Sequence, residues 1–233
     1  MEKVILITGA GRGIGHAIAS SLYNGNSLIL LTKTKDSHAK LKKEFPKALC
    51  YRCDITSDLE LRKTLKDVES NFRSIDVLVN NAGIFLGKEF EKTGLKEFDN
   101  VFSVLIRAPF AVTTMLLPLL KKSKYPQVVT ISSAAAFAPM VTESVYSAAK
   151  SGVSTLMEVA REELQKYKIR FTLVEPFGVN SHNIPNPKNL LHPEDIGDLV
   201  KYIINTDRNC EILTVSLSTT GQWFRGTPPW FKG

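Results

Sequence analysis

Val4-Ile-Leu-Ile-Thr-Gly-Ala-Gly-Arg-Gly-Ile-Gly15 is the stretch on which the fold turns. The apolar run Val4–Ile7 reads as a short strand buried on both faces. The glycines behind it permit positive φ and let the backbone come close to an anion. A helical pattern follows through Leu22, so the turn offers free N–H groups and the positive end of a helix dipole. Gly9, Gly11, Arg12, Gly13, Ile14 and Gly15 are therefore expected to cradle a pyrophosphate.

Outward from this turn, apolar runs alternate with helix-period stretches to the far end of the chain. Strands are expected at Ser27–Leu31, Ala48–Cys53, Ile75–Val79, Gln127–Ile131, Ile169–Val174 and Ile212–Val215. Helices are expected at Ala39–Phe45, Asp58–Phe72, Phe98–Leu120, Ser144–Tyr167 and Pro193–Ile204. Continuous apolar strands alternating with helices imply βαβ units, right-handed crossovers and a parallel sheet covered on both faces. No linker-like shift in composition interrupts the 233 residues, which read as one α/β domain.

Composition narrows the function classes. The formal charge is +7, but the lysines are scattered, so solvated faces explain them better than a nucleic-acid footprint. Three cysteines do not make a disulfide framework, and Cys50 and Cys53 fall within a strand with no second ligand pair, so no metal is expected. The longest apolar run, Val101–Leu120, is broken by Arg107, Pro109 and Pro118, which argues against a membrane span. Structure begins at Lys3 with no signal peptide before it, and the cytoplasm is the expected compartment.

The second strand ends in Thr32-Lys33-Thr34, where an acidic residue would favour a free ribose 2′-hydroxyl. Lys33, with Arg12, could instead neutralise a 2′-phosphate, which favours NADP(H). Asp36 keeps NAD(H) open.

Several motifs now stand in order. Thr8–Gly15 resembles the TGxxxGxG of the short-chain dehydrogenase/reductase family, in its single-domain branch. Asp54-Ile55 resembles the strand-3 end that approaches adenine, and Asn80-Asn81-Ala82-Gly83 the NNAG that steadies the sheet and lines the cofactor. Ser133 and Tyr146-Ser-Ala-Ala-Lys150 resemble the catalytic serine and the YxxxK segment. The resemblance covers nearly the whole chain. It implies a three-layer, doubly wound Rossmann fold with seven parallel strands in the order 3-2-1-4-5-6-7. It also implies that Ser133, Tyr146 and Lys150 are catalytic, and that Lys150 holds the nicotinamide ribose.

Tyr146 and Lys150 are four residues apart and share a helix face. A phenol titrates near ~10, and an ammonium ~4 Å away would favour its ionised form by about 4 kcal/mol, or roughly three pKa units. Tyr146 would then exchange a proton with the reacting oxygen near neutral pH, and Ser133 would polarise that oxygen. Pro176, Gly178 and Val179 resemble the segment that cradles the nicotinamide, with Phe177 at the usual glycine place. Leu105 stands where the family carries an Asn that helps to kink the long helix and holds a water linked to the lysine, so a reduced rate is expected.

Ala135, Phe137, Met140, Val141, Phe177 and Ile184 are apolar candidates around the substrate, and His182 is a surface-loop histidine or a substrate contact. Trp223, Phe224, Trp230 and Phe231 near the end of the chain suit a subunit interface or a cover for the substrate mouth. The helices Phe98–Leu120 and Ser144–Tyr167 suit pairing in a homodimer or homotetramer. The leading expectation is an NADP(H)-dependent carbonyl reductase, similar to the ketoacyl-, carbonyl- and sepiapterin-type reductases, acting on a small carbonyl or alcohol. The alternatives are an NAD-dependent alcohol dehydrogenase and a dinucleotide-binding regulator of low activity.

Overall fold

In a computed structural model of the protein, residues 2–181, 189–206 and 209–220 are described. The strands are β1 (Val4–Thr8), β2 (Ser27–Thr32), β3 (Leu49–Arg52), β4 (Val77–Asn80), β5 (Gln127–Ile131), β6 (Arg170–Pro176) and β7 (Thr214–Leu217). The helices are α1 (Gly13–Leu22), α2 (Lys35–Glu44), α3 (Asp58–Asn71), α4 (Leu95–Phe102), α5 (Ala108–Leu120), α6 (Ser144–Leu164) and α7 (Pro193–Asn205). All seven strands are parallel, in the order β3-β2-β1-β4-β5-β6-β7, as expected.

Both sheet faces are covered, which explains why the central strands are apolar over most of their length. Ile5, Ile7, Leu28, Leu30 and Val129 face a layer built by α1, α2 and α7 through Ile18, Leu22, Leu41, Ile196 and Val200. Leu6, Ile29, Leu78, Val128 and Phe171 face the other layer, where α3, α5 and α6 contribute Leu61, Leu65, Val112, Leu116, Val153 and Met157. Strand β1 pairs with β2 on one side and β4 on the other, so successive crossovers depart in opposite directions and leave a crevice at its carboxyl end.

Three elements differ from the sequence reading. Helix α2 starts at Lys35 because Thr34 caps it, its hydroxyl accepting from the Ser37 N–H at 3.2 Å. Strand β7 lies two residues later than the apolar run suggested; at the sheet edge it alternates exposed and half-buried positions, so an apolar run is the wrong signal there. The long helix begins at Leu95 and passes through a π-helical turn at Ser103–Arg107, with the Ala108 N–H bonded to the Ser103 carbonyl. Pro109 supplies the reason, since it has no N–H to give to the Leu105 carbonyl four residues back.

The stretch Leu95–Leu120 is long and apolar enough to cross a bilayer by composition. Its residues Ala108, Val112, Leu116 and Leu120 are nevertheless core of the sheet layer. Leu105 is 2% exposed and packs with Val101, Val145 and Ala149 between this helix and α6. Leu105→Asn places an amide in that apolar cluster and is expected to cost ~2–4 kcal/mol, measured as a lower midpoint of denaturant unfolding.

Candidate active site

The crevice is held by a clasp between the ends of β1 and β4. The Thr8 hydroxyl donates to the Val79 carbonyl at 3.3 Å and accepts from the N–H groups of Asn81 and Ala82 at 3.0 and 3.1 Å. The Asn81 amide donates to the carbonyls of Thr8 and Gly9 at 2.9 and 3.2 Å. Close packing requires the glycines. A Cβ on Gly15 would stand 2.3 Å from the Gly9 oxygen, and one on Gly9, which has φ +68°, 2.7 Å from the Ala82 Cα. Helix α1 has no side-chain cap and no acidic residue in its first turn. Its first N–H groups and the bare turn therefore suit a pyrophosphate. Arg12 is exposed at the N-cap position of α1.

Beside the turn, the end of β2 meets α2. A Cβ on Gly11 would lie 2.6 Å from both the Thr32 hydroxyl and the Ser37 Cβ. Ser37 thus joins the wall of the turn, a position that only the earlier start of α2 reveals. Lys33 and Asp54, assigned from the sequence to a phosphate and to adenine, are ion-paired with each other at 2.7 Å. Burial alone would raise the Asp54 carboxyl, but hydrogen bonds from Lys33 and Thr56 hold it below the usual range. Ile55 is buried next to it.

Ser133, Tyr146 and Lys150 gather at the carboxyl end of β5. Ser133 is extended, with φ −166°, and its hydroxyl accepts from the Ala135 N–H at 3.2 Å as a short turn begins. Tyr146 and Lys150 sit in the first two turns of α6. The Lys150 ammonium lies 5.8 Å from the centre of the Tyr146 ring and donates to the Ile131 carbonyl at 2.9 Å. Burial pushes Lys150 down to about 8, with Glu175 acting in the opposite direction.

The expected acidic phenol is not what the structure shows. Burial pushes Tyr146 above the ordinary tyrosine value, Glu143 adds to the rise, and the neighbouring Ser133 hydroxyl draws it back. The Lys150 ammonium is turned to the Ile131 carbonyl and is itself desolvated.

A further polar group lies just past the Val174 at which the sequence reading ends this strand, whereas β6 runs to Pro176. Glu175 is 6% exposed, and burial raises its carboxyl. It accepts from the Ser154 hydroxyl at 2.8 Å; that oxygen is 2.8 Å from the Ser132 hydroxyl, which reaches the Lys150 carbonyl at 3.3 Å.

Aromatic residues form the rim. Phe137 meets Phe177 edge-on with centroids 6.0 Å apart, Ala135 is buried, and Met140 is half-buried. Phe85, which no sequence signal singled out, meets Tyr146 edge-on at 5.1 Å. Val141 is exposed. Past Pro176, the Gly178 carbonyl accepts from the Leu191 N–H at 2.9 Å and Val179 bridges to Leu191. The chain returns to the glycine turn, where a Cβ on Gly13 would lie 3.1 Å from the Ser181 Cβ. Asn81, Ala82 and Gly83 thus flank the crevice on the β4 side, and Pro176 to Ser181 approach it from β6. His182, Ile184, Trp223, Phe224, Trp230 and Phe231 lie outside the described residues.

Comparison with known proteins places this arrangement in a wider set. A family model described as short chain dehydrogenase matches residues 3–188. An uncharacterized oxidoreductase of Staphylococcus aureus is 25% identical over 224 residues, covering 93% of this chain and 96% of its own. A counterpart in Staphylococcus epidermidis is 26% identical over 222 residues, with the same coverage of both chains. A metagenomic short-chain oxidoreductase solved in complex with NADP superposes with a TM-score of 0.81 at 28% identity, covering 92% of this chain and 96% of that one. An alcohol dehydrogenase from the archaeon Thermococcus sibiricus, complexed with 5-hydroxy-NADP, shares the fold with a TM-score of 0.88 at 24% identity over 95% and 98% of the two chains.

The buried lysine has a measurable signature. Its folded value, about 8, lies below the 10.5 of an unfolded chain, so between these values the unfolded state holds more protons and stability rises with pH. Relative to Lys150→Met, the protein should gain stability from about pH 8 up to about pH 10, where tyrosines begin to ionise. Parallel pH–stability curves for the two proteins would contradict this.

Proposed function

The chain belongs to the short-chain dehydrogenase family, and from that premise we propose that it is an NADP(H)-dependent oxidoreductase that reduces a ketone or aldehyde to an alcohol. The observation that carries the proposal is the convergence of Ser133, Tyr146 and Lys150 beside the crevice that the Thr8–Asn81 clasp holds open. A bound nicotinamide dinucleotide supplies the hydride. Gly9, Gly11, Arg12, Gly13, Ile14 and Gly15 would hold its pyrophosphate; Thr32 and Lys33 its ribose phosphate; Asp54 and Ile55 its adenine. Asn81, Ala82, Gly83, Pro176, Gly178 and Val179 would flank its nicotinamide half.

Ser133 would donate a hydrogen bond to the substrate oxygen as negative charge develops there. Tyr146 would deliver the proton to that oxygen, and its raised pKa keeps the proton in place until it is needed. Lys150 would supply positive charge behind the phenol. Ala135, Phe137, Met140 and Phe177 would line the substrate, a rim that suits an apolar or aromatic group next to the carbonyl. Relatives solved with NADP and a basic Lys33 support the phosphorylated cofactor. The Lys33–Asp54 pair favours a second reading, NAD(H) with an alcohol substrate, because it already engages the lysine. Cytoplasmic homodimers or homotetramers, without nucleic acid or membrane partners, complete the proposal.

Tyr146→Phe should lower turnover of a responsive carbonyl ~10²–10⁴-fold while NADPH affinity, read by fluorescence titration, stays within a few-fold. Tighter binding of NADH than of NADPH by the unaltered protein would reverse the cofactor assignment. No NADPH oxidation with a broad panel of ketones, aldehydes and quinones would favour a dinucleotide-binding regulator, consistent with Leu105 at the relay position.

A further inference from the structure

Phe85 is a large apolar residue left 62% exposed in the loop between β4 and α4, yet its neighbours hold it in one place. Its ring meets the Tyr146 ring edge-on, with centroids 5.1 Å apart and planes at 71°. Gly87 lies against the same ring: a Cβ there would stand 3.0 Å from Phe85 Cε1 and 3.2 Å from Cζ. The loop is then tied to the segment that follows Ser133, because the Lys88 N–H donates to the Thr142 carbonyl at 2.6 Å. Thr142 has φ +69°, a left-handed conformation that a β-branched residue adopts only at a cost. The Lys88 ammonium is engaged by both Glu97 oxygens, at 2.8 and 2.7 Å. A phenyl ring held in this way loses little freedom when a ligand packs on its open side.

The other rings of the rim come from the neighbouring strands. Strands β4, β5 and β6 are adjacent, and Ser133 follows the middle one. Phe85 follows β4, Phe177 follows β6, and Phe137, from the segment after β5, meets Phe177 at 6.0 Å. Residues 84–88, 133–142 and 176–181 carry one charged side chain, Lys88, and it is paired. Glu143, just beyond, has one carboxyl oxygen buried without a hydrogen-bond partner among the described residues. We propose that Phe85 is a specificity-determining residue, and that the substrate carries its carbonyl on a planar aromatic ring that packs on the open side of Phe85. The inference rests on the dehydrogenase reading and narrows it to aryl aldehydes and aryl ketones. Against fixed phenyl rings, a planar ring gains over a saturated one of equal carbon count through edge and face contacts rather than through area.

Benzaldehyde and cyclohexanecarbaldehyde test this, since they differ in the planarity of the ring and not in its carbon count. Their intrinsic reactivities differ, so the quantity to follow is how the ratio of their kcat/KM values changes between variants. Phe85→Leu removes the ring and keeps an apolar side chain, and the aryl-to-cyclohexyl ratio should fall ~2–10-fold. Phe85→Tyr keeps the ring and should leave the ratio unchanged. Gly87→Ala keeps Phe85 but forces its ring to give by a few tenths of an ångström, and should lower the ratio by less. An unmoved ratio in Phe85→Leu overturns the proposal. So does an equal loss for both aldehydes, which would mean that the ring only supports Tyr146. A preference for a ketone bearing an ammonium group, lost in Glu143→Gln and untouched by Phe85→Leu, would assign the pocket to a cation and also overturn it. Calorimetric titration of acetophenone and cyclohexyl methyl ketone into the NADP⁺-saturated protein needs no turnover. Acetophenone binding that Phe85→Leu weakens, with no carbonyl reduced, would fault the dehydrogenase reading and leave the aromatic site standing. Turnover with a ratio indifferent to residue 85 would do the reverse, and neither binding nor turnover of the aryl compounds would sink the proposal.

Discussion

The Thr8–Asn81 clasp is the constraint on which the site depends. Strands β1 and β4 send their chains to different sides of the sheet, and nothing in a parallel ladder fixes how far apart their loops stand beyond the last paired residues. One threonine hydroxyl and one asparagine amide make five hydrogen bonds across that gap. They bring the Gly9 and Gly15 backbones so close that no side chain fits between them. The width of the crevice and the path of the glycine turn follow from this contact, and so does the position of α1, whose first N–H groups have no side-chain cap.

The end of the crevice that holds Ser133, Tyr146 and Lys150 is organised by burial. Lys150 has left water almost completely, and its ammonium donates to the Ile131 carbonyl. The phenol beside it is also desolvated, and the net effect on Tyr146 is to hold its proton more firmly. The two groups are neighbours on one helix face, yet each is dominated by its own surroundings rather than by the other. For a reduction, in which the tyrosine must arrive protonated, that balance is favourable.

Much of this was legible in the sequence, and the misses have physical causes. Buried parallel strands announce themselves because both faces are apolar, and all seven were found to within two residues at each end; β7, at the edge, has a solvated face and is the one shifted by two residues at both ends. The i, i+4 spacing of Tyr146 and Lys150 correctly placed them together, but a four-carbon stem can aim its ammonium at several acceptors, and spacing cannot choose Ile131. The Lys33–Asp54 pair is the product of β2–β3 register, in which Thr32 lies opposite Arg52, so it becomes visible only once the sheet order is known. Glu175 and Phe85 belong to no periodic pattern and were found by contact alone.

The π turn at Ser103–Arg107 also changes how the long helix spends its hydrophobic residues. Val101, Leu105, Ala108, Val112 and Leu116 follow spacings of three and four, which on an unbroken rod would form one straight stripe facing one neighbour. A wider turn admits an extra residue and rotates everything after it by roughly a quarter of a circle. The stripe is thereby split. Its first half, Val101 and Leu105, lies against α6, and its second half, from Ala108 on, lies against the sheet. A single seam in the sequence is shared between two partners, and deleting one residue from the turn would force both halves to compete for the same one.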